Sequence, residues 1–186
     1  MNFDEVYLDT WVQTLTQKGI HFATGLTNSE ADAVECFWSL TFPIDLRQLL
    51  QYALPISKGF PDWRAVDTQS LRDAIEWPLA GMCFDIEHNT FWMDEWGSRP
   101  SSLEAAQAIA KQAVQNAPFL VPVYSHRYLP AQPCASGNPI FSVYQTDIIH
   151  YGHHLADYFH REFGVFNPDS GMYDTREIAF WSELGV

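Results

Sequence analysis

Between residues 119 and 151 the chain alternates short apolar stretches with turn residues, and this spacing leaves few folds open. Residues 119–124, 127–129, 140–144 and 146–151 read as strands, and Pro130, Pro133, Gly137 and Pro139 punctuate them. The region reads as a mostly antiparallel sheet.

Upstream the period changes to that of helices. Phe3, Val6, Tyr7, Trp11 and Leu15 are near helical spacing, with Gly19 as a C-terminal cap. Thr27 and Glu30 form a capping box before Ala31, Val34, Phe37 and Trp38. Pro43 suits the first turn of a helix carrying Leu46, Leu49, Leu50 and Ala53, and residues 55–64 read as a loop. A short helix around Leu71, Ala74 and Ile75 is expected to end before Pro78. Alternation of Phe84 and Ile86 with Asp85 and Glu87 then predicts a hairpin of residues 82–87 and 90–95, turning at His88-Asn89. Ser101 and Glu104 frame a second capping box, opening an Ala-rich helix to about Asn116. The last clear helix spans residues 153–163, while residues 176–184 fit either type of element. Helices first, then a mostly antiparallel sheet flanked by helices, make an α+β fold. At 186 residues, with no internal repeat, low-complexity tract or linker, residues 1–186 read as one domain.

Charge narrows the function. Acidic residues outnumber basic ones 23 to 10, and a net charge of −13 repels phosphate backbones and anionic membranes. Nucleic acid and membrane are therefore not the expected partners; an acidic face suits cationic proteins or metal ions, and the charge equally serves to keep an aromatic-rich chain in solution. No stretch is long and apolar enough to span a bilayer. The acidic N-terminus lacks the regions of a signal peptide. Cys36, Cys83 and Cys134 are odd in number and far apart, which suits a reducing cytoplasm.

Several strings resemble the SUKH superfamily, the Smi/Knr type of domain. They are Leu26 through Glu35, Phe42-Pro43-Ile44-Asp45-Leu46-Arg47, Phe60-Pro61-Asp62-Trp63-Arg64, Phe84-Asp85-Ile86, Phe91-Trp92 and Trp96 through Pro100. Val123 through Pro130 and Gly137 through Gln145 extend the likeness, which covers about residues 26–163. The resemblance implies a binding fold without a shared catalytic centre. It further implies a bacterial immunity protein that neutralises a cognate toxin, such as a nuclease, by occlusion. A regulatory scaffold of the same fold is the other outcome it allows.

The expected partner surface is acidic with aromatic anchors: Asp62, Trp63, Asp85, Glu87, Asp94, Glu95 and Trp96. Asp85, Glu87 and Asp94 were they to share a hairpin face would also suggest a metal site, but no lysine or basic path accompanies them. The enzymatic alternative is a metal-dependent hydrolase. It uses His150, His154 and Asp157, which fall on one face if a helix begins near His150; His153 and His160 lie beside them. Gly152 interrupts that helix and no HExxH motif is present, so a polar helix face is the preferred reading. His126-Arg127 with Tyr128 reads as an anion pocket or, preferably, as an internal pair with Asp147. GxSxG, Walker and dinucleotide motifs are absent. No cofactor and no catalytic residue is expected.

Overall fold

The computed structural model describes residues 3–167 and 174–185. Among these, seven helices surround antiparallel sheets of two and four strands, an α+β arrangement. Helix α1 (Glu5–Gln17) is capped by Asp4, whose carboxylate accepts from the Tyr7 N–H at 2.8 Å. Strand β1 (Phe22–Thr24) pairs antiparallel with β2 (Ala53–Pro55), and α2 (Asn28–Trp38) and α3 (Ile44–Tyr52) lie between them in sequence. The capping box at Thr27 is present, with Thr27 N–H donating to Glu30 at 2.8 Å and Glu30 N–H donating to the Thr27 hydroxyl.

Helix α4 is where the expectation fails. It runs unbroken from Gln69–His88, through Pro78, so neither the early stop nor the hairpin at residues 82–95 exists. Proline removes the N–H that would bond the carbonyl four residues earlier. That carbonyl, on Ala74, instead accepts from the Tyr128 hydroxyl at 2.7 Å. A partner from the sheet thus replaces the missing bond and lets the helix pass. His88 and Asn89 form the helix end, not a turn: the Asn89 and Phe91 N–H groups both donate to the Asp85 carbonyl. A 3-10 turn, Asp94–Trp96, follows.

Helix α5 (Leu103–Asn116) packs along α4 through Met82, Ile86, Ala106 and Ala110. Its cap is Ser102, which accepts from Ala105 N–H, one residue later than the spacing of Ser101 and Glu104 suggests.

The large sheet is a meander, β3 (Leu120–Tyr124), β4 (Arg127–Pro130), β5 (Ile140–Tyr144) and β6 (Asp147–Gly152), each antiparallel to the next. Helices α6 (Leu155–Phe163) and α7 (Trp181–Leu184) complete the chain. Both sheet faces carry a core, although Asp147, Ile149 and His150 of β6 are exposed. Val121, Val123 and Leu129 join Trp11, Leu46, Leu50, Trp63 and Phe159 in the larger core. Leu120, Tyr128, Phe141, Val143 and Ile148 pack against Ile178 and Trp181 on the other side. This explains why the strands read as apolar almost throughout.

The two hairpins echo each other over four residues. Val123-Tyr124-Ser125-His126 and Val143-Tyr144-Gln145-Thr146 each lead into a two-residue turn, with positive φ at Ser125 (50°) and Gln145 (57°). In a meander these two turns lie at the same end of the sheet, and α4 crosses that end.

Candidate functional site: a groove between α4 and the hairpin tips

Four contacts lock α4 to the sheet end. Trp77 Nε1 donates to the Val143 carbonyl at 3.1 Å, and Tyr128 reaches Ala74 as described. One turn further on, a Cβ at Gly81 would stand 2.7 Å from Gln145 Cα, so only glycine allows this approach. At the far end the Asp85 carboxylate accepts from the Thr146 N–H at 2.9 Å and its hydroxyl at 2.5 Å, and from Asn89 Nδ2 at 2.5 Å. Burial pushes the Asp85 acid up, but these donors outweigh it and hold it below the usual carboxylate range.

Beside these locks lies an open groove. Two adjoining cavities, of about 360 and 210 Å³, share Trp77 and Tyr144 in their walls. Asp73, Ser125, His126 and Tyr128 line the larger, and Ala80, Gly81, Phe84 and Gln145 the smaller. Trp77 is 42% exposed, Phe84 45% and Tyr144 57%. Three half-bare aromatic rings around one groove differ from scattered surface hydrophobics, and contiguity of this kind marks binding surfaces. The Trp77 and Tyr144 ring centroids are 6.2 Å apart, and Phe84 stacks on His88 at 4.3 Å.

Ser125 and His126 bring polar groups to the larger cavity. His126 Nδ1 lies 3.2 Å from the Ser125 hydroxyl. Burial lowers the His126 pKa, the Arg127 guanidinium lowers it further, and Glu162 opposes both. Arg127 itself faces inward: it donates to the Ser142 hydroxyl at 2.8 Å, lies 3.9 Å from the Tyr151 ring centroid and has Glu162 at 3.8 Å. Glu162 thus takes the pairing role expected of Asp147, which is exposed.

The acidic face expected from the sequence is dispersed. Trp63 is core, 1% exposed, in edge-to-face contact with Phe42 at 5.0 Å. Asp62 accepts from the Arg64 N–H at 3.1 Å, closing the loop before α4. Asp85 and Glu87 do not share a face: on a helix, residues two apart diverge, so Asp85 is buried and Glu87 exposed. Asp94 and Glu95 are exposed on the 3-10 turn, while Trp96 packs against Trp92 at 5.1 Å.

Nor do the C-terminal histidines share a helix face. His150 is on β6, its ring against Phe141, and Nε2 is 3.3 Å from the Ser182 hydroxyl. His154 caps α6, its Nδ1 accepting from Asp157 N–H at 3.1 Å. Asp157 accepts from His153 N–H and from Arg161 Nε at 2.8 Å. His154 and Asp157 thus brace the β6–α6 corner, while His150 turns to α7. Among the described residues no group of three or more His, Cys, Asp or Glu is arranged to hold a metal ion.

Sequence reasoning missed Trp77, Phe84 and Tyr144. Trp77 and Phe84 are seven residues apart, two helical turns on one face, but the expected break at Pro78 hid that periodicity. Compared with family models, curated proteins and solved structures, the chain matches none.

Proposed function

We propose that the chain is a non-catalytic protein-binding module that engages its partner through the α4 groove. The observation that carries this reading is the convergence of the Trp77, Phe84 and Tyr144 rings on one open groove. Aromatic anchors of this type supply much of the energy of protein interfaces.

Charge supports a cationic partner. Each of the seven arginines is engaged within the chain: Arg47 with Asp32 and Glu35, Arg64 with Glu30, and Arg72 with Asp67. Arg99 bonds the Ile86 carbonyl, Arg127 Ser142, Arg161 Asp157 and Arg176 Asn138. With its guanidinium groups so occupied and a net charge of −13, the molecule attracts positive surfaces at long range. Following the resemblance to SUKH domains, the partner is a toxin domain whose working surface is covered, and the module acts in the cytoplasm.

Affinity capture from native lysate tests the reading, with wild type run beside a Trp77→Ala/Tyr144→Ala variant and the bound proteins identified by mass spectrometry. A basic protein held by wild type and lost by the folded variant is expected. Identical recovery by both would overturn the assignment of the groove.

A further inference from the structure

We propose that the groove, as the binding site assigned above, receives an arginine side chain from a basic segment of the partner. The inference rests on that reading and deepens it. Trp77 and Tyr144 present half-exposed rings 6.2 Å between centroids, tilted 60° to each other. Electron-rich faces attract a cation, most strongly one as flat and weakly hydrated as guanidinium. Asp73 stands one helical turn before Trp77 on the same α4 face and lines the same cavity. Its Oδ1 accepts from Gln69 Nε2 at 2.7 Å, and a carboxylate has capacity for further donors, including the bidentate fork of arginine.

The rest of the lining agrees in sign. No lysine or arginine lines either cavity. His126, the remaining basic group in the larger one, has its pKa lowered by burial and by Arg127, with Glu162 opposing both. The fold already makes this kind of contact for itself, with Arg127 over Tyr151 at 3.9 Å and Arg72 5.6 Å from the Trp38 centroid. At about 360 Å³ the larger cavity has the size of a small-ligand site, ample for one side chain and its flanking backbone.

The test is an NMR titration of the full chain with N-acetyl-glycyl-arginyl-glycinamide, read at the Trp77 indole N–H. The same peptide with citrulline, a neutral isostere of arginine, is the control. The arginine peptide is expected to move that resonance saturably, with the citrulline peptide about three- to tenfold weaker. Asp73→Asn should weaken arginine binding by a similar factor, and Asp94→Asn should not. Equal binding of the two peptides, equal effects of the two substitutions, or no response at Trp77 would each overturn the proposal. Should Trp77→Ala/Tyr144→Ala still lose the captured partner while the arginine peptide is silent, the groove remains the binding site and only its arginine specificity falls.

Discussion

Three donors converge on the Asp85 carboxylate, and two of them belong to the β5–β6 turn. Removing the acceptor strands the part-buried N–H and hydroxyl of Thr146, so Asp85→Ala should cost about 1–2 kcal/mol in urea unfolding. Because the folded-state pKa of Asp85 is lowered, the stability it supplies is present above the unfolded value and lost as pH falls through the folded one. Glu30 follows the same sign. The Arg64 guanidinium, aided by Thr27, holds its carboxyl down from 4.5 to about 2. The stability gap between wild type and Glu30→Gln should therefore be full above pH 4.5 and close as pH falls towards about 2. A gap that stays constant across that range would show that the ion pair is not its source.

At the scale of elements, α4 depends on the Tyr128 hydroxyl to satisfy the Ala74 carbonyl that Pro78 leaves without a donor. Tyr128→Phe should cost about 1–2 kcal/mol in wild type and clearly less in a Pro78→Ala background, where the helix supplies its own N–H. Equal costs in both would mean that the hydroxyl and the proline are uncoupled. Gly81→Ala sets helix propensity, a gain of about 1 kcal/mol, against collision with Gln145 Cα at 2.7 Å. Overpacking of a backbone contact costs more, about 1–3 kcal/mol, so a net fall in melting temperature is expected.

The same helix marks the limit of what the sequence reveals. The first helix, the capped start at Thr27, the four strands of the meander and α6 are written in local patterns, and these elements lie close to where residue spacing puts them. Pro78 reads as a stop because local chemistry says so; the bond that rescues the helix comes from a strand fifty residues later. Likewise the alternation of Phe84, Asp85, Ile86 and Glu87 fits a strand until α5 supplies a helical neighbour for Met82 and Ile86. The groove was illegible for the same reason: Trp77 and Tyr144 meet only through tertiary structure.

For the whole molecule, internal use of the arginines leaves a net negative charge beside an aromatic groove, so encounter and anchoring are separable. Charge reversal at Asp94 and Glu95 should slow association and flatten its salt dependence without greatly changing dissociation. Loss of Tyr144 should instead speed dissociation. Site-directed photocrosslinking tests the groove most directly, with a benzophenone amino acid replacing Tyr144 in one protein and Glu95 in another. On irradiation in cells, position 144 should yield a discrete adduct with a basic protein, more strongly than position 95. An adduct formed from 95 and not from 144 would contradict the assignment of the groove as the binding site.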